Sequence, residues 1–198
     1  MKNLLKFTFV LISLITISCV SDDDFAIPEI TVPVYVEDFQ TATNNAPVSF
    51  EGWSTHVEAG SINWTEKTFS SNGTVRFSSF QSGEPSNIAW LISPKFEFDS
   101  NIGKRLIFES AHSFLSNPSN TFDVYISTNY DSNVTTATWT RITSNFRMPQ
   151  SSDSNFTFVS SGNFDLSAIE GPFNIAFKAV GNTSTLTAGF EVDNFIIY

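Results

Sequence analysis

From Val34 onward the apolar positions recur every second residue in short runs, with no stretch of i, i+3, i+4 spacing sustained over three helical turns. In Phe122-Asp123-Val124-Tyr125-Ile126-Ser127, the residues Phe122, Val124 and Ile126 share one face. In Phe173-Asn174-Ile175-Ala176-Phe177-Lys178, the residues Phe173, Ile175 and Phe177 do the same. Clusters of Asn, Ser, Gly and Pro separate the runs, as turns separate strands. The pattern predicts strands at Val34–Phe39, Thr74–Ser79, Ala89–Ser93, Arg105–Ser110, Thr121–Ser127, Trp139–Thr143, Phe173–Ala179 and Gly189–Tyr198. One apolar and one wet face per strand indicates antiparallel pairing. So many strands in one short chain predict an all-β, antiparallel two-sheet sandwich, a single domain over 34–198. Strand spacing alone does not separate a jelly roll from other Greek-key sandwiches.

The first 33 residues follow a different pattern. Lys2 and Lys6 precede an apolar run from Phe7 to Ile17, which reads as a secretory signal over 1–18. The run falls short of the roughly 20 residues that span a bilayer. It ends in Ile17-Ser18-Cys19, which resembles a bacterial lipobox. That resemblance implies cleavage before Cys19, acylation of Cys19 and anchoring in outer-membrane lipid; an ordinary secretory peptide with an incidental cysteine is the alternative. Ser21, Asp22, Asp23 and Asp24 follow directly and resemble the export signal of Bacteroidota surface lipoproteins, which implies display on the cell surface. A solvated acidic linker is the plainer reading of the same aspartates. Residues 19–33 then serve as the lipidated cysteine and an acidic, proline-containing tether.

Composition narrows the chemistry. Lys and Arg number 10 against 20 Asp and Glu, a formal charge of -10. Loss of residues 1–18 removes two of the basic residues and none of the acidic ones, so the balance moves to -12. Such a charge opposes phosphate backbones, and no nucleic-acid partner is expected. One cysteine can form neither an internal disulfide nor a thiolate zinc cage, so the 21 Phe and 4 Trp must fill the core. His56 and His112 lack the spacing of a zinc protease, and no nucleophile elbow occurs. Glu58, Glu66, Glu84 and Glu109 read as solvated acids rather than as a hydrolytic pair, and the chain is expected not to be an enzyme.

An ordered set of short motifs carries a family resemblance. Asp38-Phe39 is followed by Gly52-Trp53, Trp64, Trp90-Leu91-Ile92-Ser93-Pro94, Val124-Tyr125-Ile126-Ser127-Thr128, Trp139-Thr140, Ile175-Ala176-Phe177 and Val192-Asp193-Asn194-Phe195. This succession resembles the choice-of-anchor J domain of Bacteroidota lipoproteins, related to cleaved-adhesin modules and to MAM domains. The resemblance implies a jelly-roll sandwich without catalytic machinery. It also implies a structural calcium ion where the first and last strands meet, with Glu37, Asp38, Asp193 and Asn194 as donors. Relatives carry Glu where this chain has Gln40, and a neutral amide there weakens such a site. A bulge or turn that ends strand pairing is the plain reading of Asp193-Asn194.

Trp90 and Trp139 read as core. Trp53 and Trp64 read first as core plugs and second as ring platforms for a ligand. Tyr130, flanked by Asn129 and Asp131 in a polar loop, reads as an exposed aromatic binding residue. The function these readings predict is a cell-surface lipoprotein with a non-catalytic jelly-roll module for an extracellular glycan. An adhesin or assembly module for a surface protein is the alternative, and a small hydrolase a remote one.

Overall fold

The computed structural model describes residues 32–97 and 104–198, and Val32–Tyr198 form one compact unit. The expected signal over 1–18, Cys19 and the expected export signal of Ser21, Asp22, Asp23 and Asp24 lie outside the described residues. Among the described residues twelve strands appear in order: β1 Tyr35–Glu37, β2 Ser54–Ala59, β3 Thr65–Phe69, β4 Asn72–Ser78, β5 Asn87–Ile92 and β6 Arg105–Ser113, then β7 Phe122–Ser127, β8 Thr140–Arg141, β9 Val159–Ser160, β10 Phe164–Asp165, β11 Asn174–Gly181 and β12 Gly189–Ile197. They build two antiparallel sheets. The first runs β10-β6-β12-β4-β3, with β1 added on β12 and β9 on β6; the second runs β2-β5-β11-β7-β8. The all-β, antiparallel two-sheet sandwich expected from the alternation is the observed fold, in the jelly-roll form that the family resemblance implied.

The alternation works as the sequence pattern requires. Phe122, Val124 and Ile126 of β7 and Ile175, Phe177 and Ala179 of β11 all face inward and are buried. From the other sheet, Val75, Phe77, Phe108, Phe190, Val192 and Phe195 meet them. Phe177 sits at the centre, with ring centroids 4.9 Å from Phe108, 5.9 Å from Phe122 and 6.2 Å from Phe195. Edge-to-face and offset contacts of this kind add to area burial, and they hold the sheets together without a disulfide.

Strands that pattern alone did not reveal are edge strands or two-residue strands. β2, Ser-Thr-His-Val-Glu-Ala, and β3, Thr-Glu-Lys-Thr-Phe, border their sheets and carry polar or charged residues at most positions. Edge strands are polar because an apolar edge invites pairing with other chains. At β4, Gly73 is required by a close approach, since a Cβ there would stand 2.0 Å from the Phe39 carbonyl oxygen.

The packing yields a contrast that urea denaturation can measure. Phe177→Ala, in the middle of the inter-sheet layer, is expected to cost about 3–5 kcal/mol. Phe69→Ala, on an outward-facing position that is 77% exposed, is expected to cost less than about 0.5 kcal/mol.

Candidate functional site

The outer face of the five-stranded sheet is where the chain gathers aromatic and polar side chains. Pairing puts His56, Trp90, Lys178 and Asp123 in one row across β2, β5, β11 and β7, and Ile92, Ala176 and Tyr125 in the next. After β7 the chain does not turn tightly but folds back over this face through residues 128–139. Asn129 shapes that excursion: its carboxamide oxygen accepts the Thr138 N–H at 2.8 Å and the Ser127 hydroxyl at 3.0 Å. Asn133 does the same further on, accepting the Thr135 N–H at 3.0 Å. Asn side chains favour this local bonding, which replaces strand pairing.

The excursion brings Val134, Tyr130 and Trp139 down onto Trp90, Ile92 and Ala176. Ring centroids stand 5.3 Å apart for Trp90 and Trp139, 5.1 Å for Trp90 and Tyr125, and 5.4 Å for Tyr130 and Trp139. Trp90 and Trp139 are therefore not part of the inter-sheet core. They form a second apolar cluster outside it, in which Trp90 is buried and Trp139 half-buried. Polar groups close its margin: the Trp90 indole N–H donates to Glu58 Oε2 at 2.7 Å, and Lys178 Nζ reaches the same oxygen at 2.8 Å. The Lys178 ammonium also lies 4.7 Å from the Trp90 ring centroid, a cation–π contact. Burial pushes the Glu58 carboxyl up, but the Lys178 and Trp90 hydrogen bonds and the Lys178 charge outweigh it, and its pKa lies below the ordinary carboxylate value.

Between this excursion and the edge strand β2 lies a cleft of about 530 Å³. Tyr130 forms part of its wall, with its hydroxyl 3.4 Å from the Ser54 hydroxyl. Ser54, His56, Ser93, Lys95, Asp131 and Asn174 supply polar lining. Of the residues singled out by sequence, Tyr130 and Asp131 meet here. Tyr130 is half-buried, not free in solvent, because Trp139 backs its ring. Asn129 is not in the lining; it holds the loop's shape. His56, Lys95 and Asn174 come from segments far apart in the chain, and no local sequence signal marks them.

Trp53 and Trp64 are corrected as ligand platforms. Trp53 is 6% and Trp64 1% exposed. Trp53 packs on Phe39 and Phe195, both at 5.2 Å, and donates to the Tyr35 hydroxyl at 2.9 Å. Trp64 packs on Phe77 and donates to the Ala89 carbonyl at 3.2 Å. Neither offers a ring face to a ligand. The glutamates do not converge either. Glu58 lies on the outer face, while Glu66 is buried and accepts the Thr43 and Ser49 N–H groups at 2.6 and 3.0 Å. Glu109 belongs to the other sheet, where it accepts from Asn194 at 2.9 Å.

The four residues expected to hold calcium do lie where β1, β4 and β12 meet. There Asp193 Oδ2 accepts from Asn72 Nδ2 at 2.8 Å, and Oδ1 from the Asn194 N–H at 2.7 Å. Gln40 Nε2 donates to Asn72 Oδ1 at 2.7 Å and to the Asp38 carbonyl at 3.1 Å. Glu37 Oε1 accepts the Phe39 N–H at 3.0 Å. Amide donors thus take both oxygens of Asp193 and one each of Glu37 and Asp38, and no group of three or more His, Cys, Asp or Glu among the described residues could hold a metal ion. The residues present fit a seam closed by amide hydrogen bonds and do not fit a calcium cage, which needs six to eight oxygens turned inward. Pairing of β12 with β6 shifts register between Asp193 and Ile196, and Asn194 adopts φ 47°, so the seam is also the bulge expected at that position.

Burial raises the Asp193 carboxyl above its ordinary value; the Asn72 and Asn194 hydrogen bonds oppose this, and the charges of Glu109 and Asp38 add to it. A carboxyl whose folded pKa is raised binds a proton more readily folded than unfolded, so its ionisation costs stability above the folded pKa. That cost is relieved as pH falls through the folded pKa and is gone below the unfolded value of 3.8. Wild type is therefore expected to gain stability relative to Asp193→Asn as pH falls from about 7 towards 4, read as the difference in Tm between the two proteins.

Comparison with known proteins places this geometry. The K3 cleaved adhesin domain of Lys-gingipain from Porphyromonas gingivalis shares 18% identity at a TM-score of 0.54, covering 84% of this chain and 99% of that one. The K1 domain of the same protein shares 20% identity at a TM-score of 0.52, covering 83% and 96%. At such identities the likeness is one of fold, and the chain shares the fold of the cleaved-adhesin modules to which the motif order pointed. No protein of curated function matches the chain. The family model described as domain of unknown function (DUF5017) matches residues 44–198, nearly the whole sandwich, and the chain belongs to that family.

Proposed function

We propose that the chain is a non-catalytic binding module, held at the outer-membrane surface through Cys19, whose cleft beside Tyr130 takes a glycan. The observation that carries this reading is the cleft itself: a polar recess with one aromatic wall, built on a rigid sheet and backed by the Trp90–Trp139 cluster. A pyranose ring has apolar C–H faces and a hydroxyl rim. The Tyr130 ring suits the faces, and Ser54, Asp131 and Asn174 suit the rim. A site pre-shaped by packing costs little ordering entropy when it binds.

The lining holds one carboxylate, Asp131. Glycoside hydrolysis by the usual route needs two across the scissile bond, so the cleft favours capture over cleavage. The adhesin name of the gingipain domains is compatible with surface capture, and the motif order supports a choice-of-anchor J kinship. Anchoring rests on the position of Cys19 at the end of the apolar run, and surface display on the aspartates after it.

Two experiments test the parts separately. In affinity electrophoresis across a panel of polysaccharides, at least one should retard the chain, and Tyr130→Ala should weaken that binding at least tenfold. Absence of retardation by every polysaccharide, or an unchanged variant, removes the glycan reading. In cells fed a labelled fatty acid, the wild-type chain should carry the label and sediment with outer membranes, whereas Cys19→Ser should do neither. A labelled Cys19→Ser variant refutes the anchor.

A further inference from the structure

The opposite face of the sandwich carries a second recess. Register puts Phe69, Lys67, Arg76, Thr74 and Glu191 on the outer face of the seven-stranded sheet. With Phe156 and Phe158 from the segment before β9 they line a groove of about 560 Å³. Its walls are apolar and its floor is charged. Phe69 is 77% and Phe156 50% exposed, so these rings face solvent, whereas most of the described phenylalanines are buried.

The backbone adds an independent observation. Phe156 adopts φ 62°, and its neighbour Phe114, also exposed, adopts φ 57°. The left-handed region is unfavourable for bulky residues, and an observed outlier of this kind is a pointer to function. Both residues are pinned there: the Phe156 N–H donates to the His112 carbonyl at 2.8 Å, and the Phe114 N–H to Asn155 Oδ1 at 2.6 Å. The two rings then meet edge to face at 5.9 Å. The structure thus holds aromatic rings outward against both solvation and backbone preference.

The charges on the floor select the ligand. Arg76 Nε stands 3.7 Å from Glu191 Oε1, and that nitrogen is buried without a hydrogen-bond partner. Arg76 balances Glu191. Lys67 forms no hydrogen bond or ion pair through its ammonium among the described residues, which leaves the groove one positive charge in excess within a chain of formal charge -10. A recess of this volume suits a small molecule, whereas a protein partner would meet a flatter patch. From these features we propose that the groove binds a small amphiphilic monocarboxylate, its hydrocarbon between Phe69 and Phe156 and its carboxylate on Lys67 and Arg76.

Decanoate is the probe, in an NMR titration of the full chain labelled with nitrogen-15. Saturable shifts are expected at backbone amides of residues 67–76 and 156–158, with a dissociation constant of about 100 µM or tighter. Decan-1-ol, which lacks the charge, should bind roughly tenfold more weakly, and Lys67→Gln should weaken decanoate by a similar factor without affecting decan-1-ol. Phe156→Gly relieves the left-handed backbone, so it should keep or raise Tm while weakening decanoate at least tenfold. That pairing separates a binding role from a folding defect. Absence of saturable shifts, equal affinity for the alcohol, or shifts at Tyr130 in place of the groove each overturn the proposal. So does sedimentation with phosphatidylcholine vesicles free of carboxylate, which would make this a membrane-facing patch. Loss of decanoate binding at the groove leaves the glycan cleft of the other sheet untouched, because the two recesses share no lining residue.

Discussion

Everything in this protein depends on the aromatic layer between its two sheets. A sandwich of this size without a disulfide must draw its stability from apolar burial alone. The layer is built from rings that touch across the gap: Phe177 against Phe108 and Phe195, Phe122 against Phe190 at 5.1 Å, and Trp53 against Phe195. Rings fill the space between sheets with few side chains and specific geometry. That economy leaves the outer faces free to carry other groups, and both faces do so.

The two outer faces solve different problems with the same material. On the five-stranded sheet a long excursion folds down and buries Trp90, making a stiff platform whose rim is polar. On the seven-stranded sheet the segment before β9 lifts Phe156 and Phe158 over Lys67 and Arg76, making a recess with apolar walls. In each case a loop positions the aromatic group and a sheet supplies the floor. The seam of β1, β4 and β12 shows a third use of polar side chains. There the amides of Asn72 and Asn194 satisfy the carboxylates of Asp193 and Glu109, which a bulge would otherwise leave unpaired, a costly arrangement for a buried group, and Gln40 in turn donates to the Asn72 carboxamide oxygen.

Alternation along β7 and β11 made their inward faces legible, because a two-residue period has one meaning when one side is apolar. β2 and β3 were illegible for the converse reason: edge strands are held by one neighbour and carry polar residues on both faces. Trp90 shows the limit of reading burial from hydrophobicity. Its apolar neighbours Ala89 and Leu91 face inward, so strand geometry turns Trp90 outward, and only the folded-back loop buries it. Trp53 and Trp64 show the reverse: the preference for core was sound, and the ligand role failed because both rings are enclosed. Tyr130 and Asp131 could be singled out as loop residues, but their partners His56, Lys95 and Asn174 could not, since the cleft joins segments that are remote in sequence.

The sequence by itself determined the class of fold, the inward face of the main strands and the place of the lone cysteine at the end of an apolar run. These follow from local rules, namely the two-residue period, turn chemistry and the length of an apolar run. Tertiary structure decided which outward residues became neighbours and which loop covered which sheet. It also decided that the Asp193 carboxylate meets the Asn72 amide, which lies remote in the chain. Those outcomes depend on strand order and on contacts across the sandwich, for which no short stretch of chain carries a signal.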